Sequence, residues 1–255
     1  MERLSTRVGG ERIAVWLAGP PAGESPYTIL YAHGFGSRQD GEKAAFFRRR
    51  AVETGRTFCS FDFRGHGESE GALRDLTLSR NLEDFAGVRE LLAERGHRRV
   101  VLLGSSMGAA SACWYAALAP ERCLAAAHIA PAVGLAAAME RWAGPERLAR
   151  WRREGVVRFA SERVETDLGW ELMADLRRYP LDRLAAIYRT PTLIFQGQLD
   201  TSVEWRDVAA FAERAAPGTV ELRLFPDGDH RLIDRLEMLW REAAAWFDKQ
   251  VAATR

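Results

Sequence analysis

Short apolar runs alternate with helix-patterned segments along most of the 255-residue chain. Seven of these runs have the pattern of β-strands, and most are nearly continuous in apolar residues, as expected of strands covered on both faces. They span residues 12–19, 27–34, 57–63, 99–105, 123–131, 192–198 and 220–226. Strands that alternate with helices predict a parallel sheet with helices on both faces, so we expect an α/β fold.

One long interval interrupts this alternation. Residues 134–190 show no convincing strand pattern and carry several tryptophans, including Trp142 and Trp151, among many charged residues. We expect this interval to form a small helical cap, inserted after the sixth strand and standing over the sheet edge. Residues 1–133 and 191–255 then form the core, since a chain of this length is commonly one α/β domain with an insertion.

The segment RLARWRRE in this interval brings four arginines close together: Arg147, Arg150, Arg152 and Arg153. One interpretation is a solvated helix face, and the other is a contact for a carboxylate-bearing substrate. Because the charges of the whole interval nearly cancel, the number of arginines alone does not predict an anion-binding surface.

The overall composition argues against several classes of function. A formal net charge of +1 provides no basic footprint for nucleic acid. No apolar run approaches the roughly 18 residues of a membrane span, and the first residues lack the apolar core of a signal peptide, so we expect a cytoplasmic location. The three cysteines show no metal-binding spacing and are expected to be buried free thiols.

The string GSSMG places two adjacent serines between two glycines. G-x-S-x-G is a weak signal by itself, but here it closes a predicted strand and opens a predicted helix. That context pushes the central side chain, Ser106, out of a sharp bend at the C-terminal edge of the sheet. Gly104 and Gly108 suit close helix-strand packing that leaves little room for a Cβ. Ser106 is therefore the candidate nucleophile, and Ser105 is the small neighbour that lets the bend close.

A serine hydroxyl needs a base to remove its proton near neutral pH, and the chain has five histidines. His230, in FPDGDHRL, lies between the last predicted strand and the last predicted helix, where a loop can bring an imidazole to the nucleophile. We expect His97 to be solvent-exposed and His128 to be a core residue. His33 and His66 are expected to form structural hydrogen bonds in loops, so His230 is the candidate base.

The third member of such a site should be a carboxylate on another loop at the same edge. Asp200 lies a few residues after the predicted strand TLIF and fits this position. Its alternative role is to cap the helix that begins near Val203, because aspartate is a favoured capping residue. Asp227 and Asp229 share a short loop with the candidate base, where neighbouring side chains rarely face each other. The predicted order along the chain is serine, aspartate, histidine.

Five segments in order, YAHGFGS, FDFRGHGES, GSSMG, GQLDTSV and GDH, resemble the motifs of the α/β-hydrolase superfamily over nearly the whole chain. The resemblance implies a mostly parallel central sheet of about eight strands flanked by helices. FDFRGHGESEG, GSSMG and DHRL together are similar to a branch of small intracellular esterases and thioesterases that includes palmitoyl-protein thioesterase-like and acyl-glucuronide-cleaving enzymes. Short-lid lysophospholipase-like and cinnamoyl-esterase-like hydrolases are similar as well.

The resemblance also implies roles for residues outside the three candidates. The backbone N–H groups of Phe35 and Met107 are expected to form an oxyanion hole, Met107 because it follows the nucleophile at a helix start. The loop FDFRGHGESEG, which contains His66, is expected to support the floor of the site. Gln196 stands where many members have a histidine, and we expect it to have no direct effect on the chemistry.

The expected reaction is hydrolysis of a carboxylic ester or thioester through an acyl-enzyme, which needs no metal or organic cofactor. Trp142 and Trp151 could line an apolar acyl pocket, although aromatic residues in helices more often belong to a core. The same fold also supports acyltransferases, amidases, peptidases and non-catalytic receptors, so these alternatives stay open. The expected partner is a small acyl substrate, bound by a monomer or a homodimer.

Overall fold

A computed structural model describes residues 1–161 and 164–254. Its main feature is an eight-stranded sheet in the order β1-β2-β4-β3-β5-β6-β9-β10, and a separate two-stranded hairpin pairs β7 with β8. The strands are β1 (Glu2–Val8), β2 (Glu11–Ala18), β3 (Thr28–Ala32), β4 (Thr57–Phe61), β5 (Val100–Ser105), β6 (Ala126–Ile129), β7 (Val156–Ala160), β8 (Glu165–Gly169), β9 (Thr192–Gly197) and β10 (Val220–Phe225).

Six neighbouring strands of the large sheet, from β4 to β10, are parallel, whereas β1 and β2 pair antiparallel at one edge. Strand β5 lies near the centre, where Leu30 of β3 is level with Leu102. The carboxyl ends of parallel strands meet at one sheet edge, so loops that follow β3, β5, β9 and β10 come together there. The prediction of a mostly parallel sheet of about eight strands is confirmed.

Helices cover both faces of the sheet and enclose two apolar cores. The helices are α1 (Glu42–Glu53), α2 (Leu78–Glu94), α3 (Met107–Leu118), α4 (Leu135–Glu154), α5 (Glu171–Leu176), α6 (Leu181–Ile187), α7 (Trp205–Arg214) and α8 (Leu236–Ala252). One core contains side chains of α2, α3, α4 and α7, and the other contains those of α1 and α8. Successive residues of β5 serve opposite cores, because strand side chains alternate between faces: Leu102 packs in the first and Leu103 in the second.

The segment between β6 and β9 differs from the predicted helical cap. It contains the hairpin of β7 and β8 between α4 and α5. Charged residues such as Arg158 and Asp167 alternate with the apolar ones because only one face of the hairpin is covered, and this mixture hid the strands in the sequence. Helix α4 is also interrupted, since Gly144 has a φ of 64° and a ψ of 170° just before Pro145.

Strand β1 was also absent from the predicted strands. Its alternating residues Leu4, Thr6 and Val8 are half-buried, whereas most of their neighbours are exposed. Such an edge strand lacks the continuous apolar run that identifies strands in the middle of the sheet. Among the helices of residues 1–161 and 164–254, none combines the length and the apolar character that a membrane span requires.

Candidate active site

Ser106 forms the bend between β5 and α3, with a φ of 54° and a ψ of −120°. A positive φ is strained for a residue with a Cβ, so the surroundings must hold this conformation. The Ser106 N–H donates to the Ile129 carbonyl at 2.9 Å, and the Ser106 carbonyl accepts from Ala110 N–H at 3.0 Å. These bonds tie the bend to the neighbouring strand β6 and to the first turn of α3.

Two glycines allow this bend because backbone passes close to both. A Cβ on Gly104 would lie 2.7 Å from Ala109 Cα, and a Cβ on Gly108 would lie 2.3 Å from the His33 carbonyl oxygen. Both distances are shorter than the contacts that real Cβ atoms make. Helix α3 can therefore approach β3 and β5 this closely only because positions 104 and 108 carry no side chain. The physical reason for the two glycines of GSSMG is therefore steric.

A chain of hydrogen bonds joins three side chains at the carboxyl edge of the sheet. His230 Nε2 lies 3.2 Å from Ser106 Oγ, and His230 Nδ1 lies 2.8 Å from Asp200 Oδ2. Ser106 follows β5, Asp200 follows β9, and His230 follows β10. The structure thus brings together the three residues that the sequence selected as nucleophile, acid and base.

The Asp200 carboxylate is fully enclosed and receives several donors. Its Oδ1 accepts the N–H groups of Ser202 and Val203, each at 2.8 Å. Its Oδ2 accepts from Gln196 Nε2 at 3.0 Å as well as from His230. Burial alone would raise the pKa of Asp200, but the hydrogen bonds from His230 and the two backbone N–H groups lower it below the ordinary value. Asp200 therefore stays ionised beside the imidazole.

The other acidic residues of the His230 loop have different partners. Asp229 Oδ1 accepts the N–H groups of Arg231 and Leu232, at 2.9 and 2.7 Å. Asp227 pairs with Arg235 at 2.7 Å. The alternative role considered for Asp200, capping the following helix, was wrong: α7 begins at Trp205 and Glu204 caps it, whereas Asp200 Oδ1 binds N–H groups in the turn before the helix.

The expectation that His97 is solvent-exposed was wrong. Its ring is buried, and its Nδ1 lies 2.9 Å from Thr28 Oγ1 where the loop after α2 packs against β3. His128 is a fully buried residue of β6, as expected of a core residue. Burial lowers the pKa of His128 to about 3, so its ring is neutral.

His33 fixes the orientation of the loop that passes Ser106. Burial lowers the pKa of His33 to about 4, so the ring is neutral and carries one proton. Its Nε2 accepts from Phe63 N–H at 3.2 Å, which leaves Nδ1–H to donate to the Gly34 carbonyl at 2.8 Å. In a planar trans peptide the next N–H, that of Phe35, points the opposite way from this carbonyl.

The two predicted oxyanion donors lie on either side of Ser106. A Cβ on Gly34 would lie 3.3 Å from Ser106 Cβ, so the loop that carries Phe35 passes directly beside the candidate nucleophile. Met107 is the first residue of α3, where N–H groups have no partner within the helix. Within residues 1–161 and 164–254, neither of these N–H groups donates to a protein acceptor.

A cavity of about 770 Å³ opens above Ser106 between the sheet edge and the cap. Its walls are largely apolar, and its polar residues cluster near Ser106 and the loop after β9. The apolar side chains are Phe35, Leu76, Met107, Ala132, Leu135, Ala138, Met139, Trp142, Phe159, Leu168 and Leu172. The only basic residue in this lining, among the described residues, is Arg141, whose guanidinium lies 3.8 Å from Asp207 Oδ2.

The two tryptophans predicted to bind substrate occupy different places. Trp142 lines the cavity. Trp151 is fully buried behind it: the two rings are 6.4 Å apart, and Trp151 Nε1 donates to the Leu168 carbonyl at 3.0 Å. Trp151 therefore supports the cavity wall, in place of the substrate contact that the sequence suggested.

The cap hairpin supplies a cavity residue that the sequence analysis missed. Phe159 of β7 lies 5.0 Å from Trp142 and 5.4 Å from Phe35, measured between ring centroids. Gly36 has a φ of 64°, and a Cβ there would lie 1.8 Å from Val164 Cγ2. The end of the hairpin therefore also packs on the loop that carries Phe35. The alternation in VVRFA was the only sequence signal for this strand, and the charged neighbours obscured it.

The four arginines of RLARWRRE lie on the exposed surface of α4, outside the cavity lining. Of the two interpretations, the structure thus favours the solvated helix face. Arg147 also stacks on the Trp142 ring at 4.9 Å, measured from the guanidinium carbon to the ring centroid.

The second serine of GSSMG has a different neighbour. Ser105 is buried and accepts a hydrogen bond from Lys43 Nζ at 2.9 Å. Burial and the nearby Arg231 lower the pKa of Lys43 to about 8. Ser105 thus contacts the α1 side of the sheet, whereas Ser106 Oγ faces His230 and the cavity. In the described part of the chain, no group of three or more His, Cys, Asp or Glu side chains is arranged to hold a metal ion.

The family model for the alpha/beta hydrolase fold matches residues 27–181, which is more than half of the chain. The chain belongs to the alpha/beta hydrolase family. The match begins just before β3 and ends at the start of α6, so it includes the loop that carries Phe35 and the Ser106 bend. Asp200 and His230 lie beyond the matched range.

Individual relatives agree with this membership. The chain is 24% identical over 232 residues to the mitochondrial palmitoyl-protein thioesterase ABHD10 of Bos taurus, covering 85% of this chain and 70% of the relative. A crystal structure of a protein from Agrobacterium vitis S4 is 27% identical, with a TM-score of 0.85, and covers 96% of this chain and 98% of that one. The ferulic acid complex of Est1E from Butyrivibrio proteoclasticus is 19% identical, with a TM-score of 0.80 over 98% of this chain and 99% of that one, which shows a shared fold.

Proposed function

We propose that this member of the hydrolase family is a serine hydrolase that cleaves carboxylic esters or thioesters through an acyl-enzyme on Ser106. The observation that carries the proposal is the hydrogen-bonded chain from Ser106 Oγ through His230 to Asp200, with its serine at the floor of the cavity. A strained serine, a base within hydrogen-bond reach and a buried carboxylate behind the base are the parts that nucleophilic acyl transfer requires.

In the first step, His230 Nε2 removes the proton of Ser106 while Oγ attacks the acyl carbon. Asp200, which is ionised, stabilises the imidazolium and keeps the Nδ1–H directed toward Oδ2. The negative charge develops on the former carbonyl oxygen, where the Phe35 and Met107 N–H groups are available as donors. The imidazolium then protonates the leaving alcohol or thiol, and water attacks the acyl-enzyme in the same sequence of transfers.

The cavity supports a proposal for the substrate class. Its apolar walls suit an acyl chain or an aryl group, and we favour short or medium acyl chains and aryl esters. The names of the relatives mention a palmitoyl-protein thioesterase and a ferulic acid complex, so longer acyl chains and thioesters belong in the same test. We propose that the enzyme acts in the cytoplasm as a monomer or homodimer.

The two serines of GSSMG offer a matched test with p-nitrophenyl butyrate. Ser106→Ala should abolish turnover and labelling by a fluorophosphonate probe, because the attacking oxygen is lost. Ser105→Ala should retain much of the activity, since Ser105 faces Lys43. Circular dichroism should show that both variants fold. Full turnover by Ser106→Ala would contradict the proposal, and labelling without turnover of any ester, thioester or amide would favour a transferase or a receptor.

A further inference from the structure

Gln196 is a fully buried residue of β9, four positions before Asp200. Its Nε2 lies 3.0 Å from the Gly197 carbonyl oxygen and 3.0 Å from Asp200 Oδ2. Both neighbours are acceptors, so the amide nitrogen must occupy this end of the side chain, because the opposite orientation would place three oxygens together. Gln196 therefore donates to the buried carboxylate.

The carboxylate oxygen that accepts from Gln196 is the one that accepts from the imidazole. Asp200 Oδ2 receives His230 Nδ1 at 2.8 Å and Gln196 Nε2 at 3.0 Å, while Oδ1 receives two backbone N–H groups. A carboxylate with donors on both oxygens cannot rotate about its Cβ–Cγ bond without breaking several bonds at once. Gln196 is the one side-chain donor besides the imidazole, among described residues, that contributes to this hold.

We propose that Gln196 is a positioning residue that fixes the Asp200 carboxylate against His230 and weakens the basicity of the oxygen that the imidazole binds. This proposal rests on the proposed hydrolase function. It adds to the expectation that Gln196 has no direct effect on the chemistry, because the amide donates to Asp200 and acts on the base only through this carboxylate.

The physical consequence follows from sharing one oxygen between two donors. An additional hydrogen bond to a carboxylate disperses its charge and reduces its attraction for the imidazolium. Removing the Gln196 donor should therefore strengthen the attraction between Asp200 and protonated His230. Because His230 must be neutral to accept the Ser106 proton, the acidic limb of kcat/KM should move to higher pH.

Other charged groups lie around the same pair, and the experiment must leave them unchanged. Lys43 of α1 interacts electrostatically with Asp200. It also interacts with Asp229 and with Arg231. Glu204, before α7, lines the cavity. Substitution of Gln196 alters none of these charges, so a shifted limb reports on the lost amide donor.

The first variant is Gln196→Met, which keeps the length of the side chain but has no N–H. We expect the plateau of kcat/KM for p-nitrophenyl butyrate to fall by about 10- to 100-fold, as for a lost hydrogen bond to a charged group. The acidic limb should move up by about half a pH unit or more, and KM should change little. Gln198→Met makes the same chemical change two residues later, where no contact with Asp200 exists in the described chain, and should keep the wild-type profile.

A second variant covers the case in which Gln196→Met does not fold. Gln196→Glu has the same shape, and while protonated its carboxyl can donate to Asp200. Relative to wild type at the same pH, its activity should be best preserved at low pH and should fall as the new carboxyl ionises beside Asp200, in an added limb that wild type and Gln198→Met lack. If the folded Gln196 variants keep the wild-type pH profile while Ser106→Ala is inactive, the role of Gln196 is overturned and the proposed hydrolase function is not. Full activity of Ser106→Ala would instead overturn the proposed function.

Discussion

The sheet edge and the cap are held together by different kinds of interaction. At the sheet edge, Ser106, His230 and Asp200 are linked by directional hydrogen bonds of 2.8 to 3.2 Å, each from a loop anchored to a strand of the central sheet. In the cap, Trp142 and Phe159 form the cavity wall by aromatic packing, which has no single required distance. Directional bonds fail when one partner is lost, whereas packing loses free energy in proportion to the area removed.

The two regions should therefore have different functions. The sheet edge should govern the rate of the chemical step for every substrate alike. The cap should govern which acyl group binds. Substitutions confined to one region test whether this separation holds.

The largest effect is expected from Asp200→Asn at the sheet edge. An amide can present an N–H to His230 Nδ1 and hold the imidazole in the wrong tautomer, so kcat should fall by about 10³- to 10⁴-fold. The loss should be equal for p-nitrophenyl acetate and p-nitrophenyl octanoate, measured as kcat for each. A loss confined to one chain length would mean that the acid also shapes the acyl pocket and would contradict the separation.

A smaller effect is expected from Phe159→Ala in the cap. Removing part of the apolar wall should raise KM for the octanoate ester by about tenfold, which is about 1.4 kcal/mol of binding, and change KM for the acetate ester by less than about threefold. Phe46→Ala is the matched control, because Phe46 is also half-buried but packs against the α1 and α8 core. Equal changes for the two esters would show that Phe159 acts on the chemistry.

A further effect concerns stability, and it also belongs to the sheet. Burial lowers the pKa values of His33, His66 and His128 to about 4, 3 and 3, below the ordinary 6.5. Each neutral histidine therefore contributes stability above about pH 6.5 that is lost as the pH falls toward these folded-state values, at up to about 1.4 kcal/mol per pH unit.

His128→Leu should reduce this acid sensitivity, because the ring nitrogens of His128 have no partner among the described residues. Between pH 8 and pH 5, the variant should lose about 2 kcal/mol less unfolding free energy than wild type. Urea unfolding at both pH values measures the difference. Identical losses would show that His128 is protonated in the folded protein.

The sequence predicted the sheet better than the cap, and the reason is physical. Strands covered on both faces, such as β5 and β9, are continuous apolar runs, and a tight bend beside close backbone requires Gly104 and Gly108. These signals are local, so most strands of the central sheet and the position of Ser106 could be predicted. The candidate acid and base followed because parallel strands end at one edge.

The missed features depend on contacts between distant segments. The cap hairpin has one covered face, so Phe159 is surrounded by charged residues in the sequence although it packs on Phe35. Likewise, Gln196 appears in the sequence as one more residue of an apolar strand. Only its orientation in the folded protein brings its amide to Asp200.

Under the proposed mechanism, Ser106 carries the acyl group between two half-reactions. This role can be tested by mixing wild-type enzyme with excess p-nitrophenyl ester, quenching in acid within the first turnover, and mapping the peptides by mass spectrometry. We predict a mass increase equal to the acyl group on the peptide that contains GSSMG, assigned by fragmentation to Ser106 and absent from Ser106→Ala. An acyl group found on Ser105 or Lys43, or rapid turnover with no acylated peptide under any quench, would contradict the account.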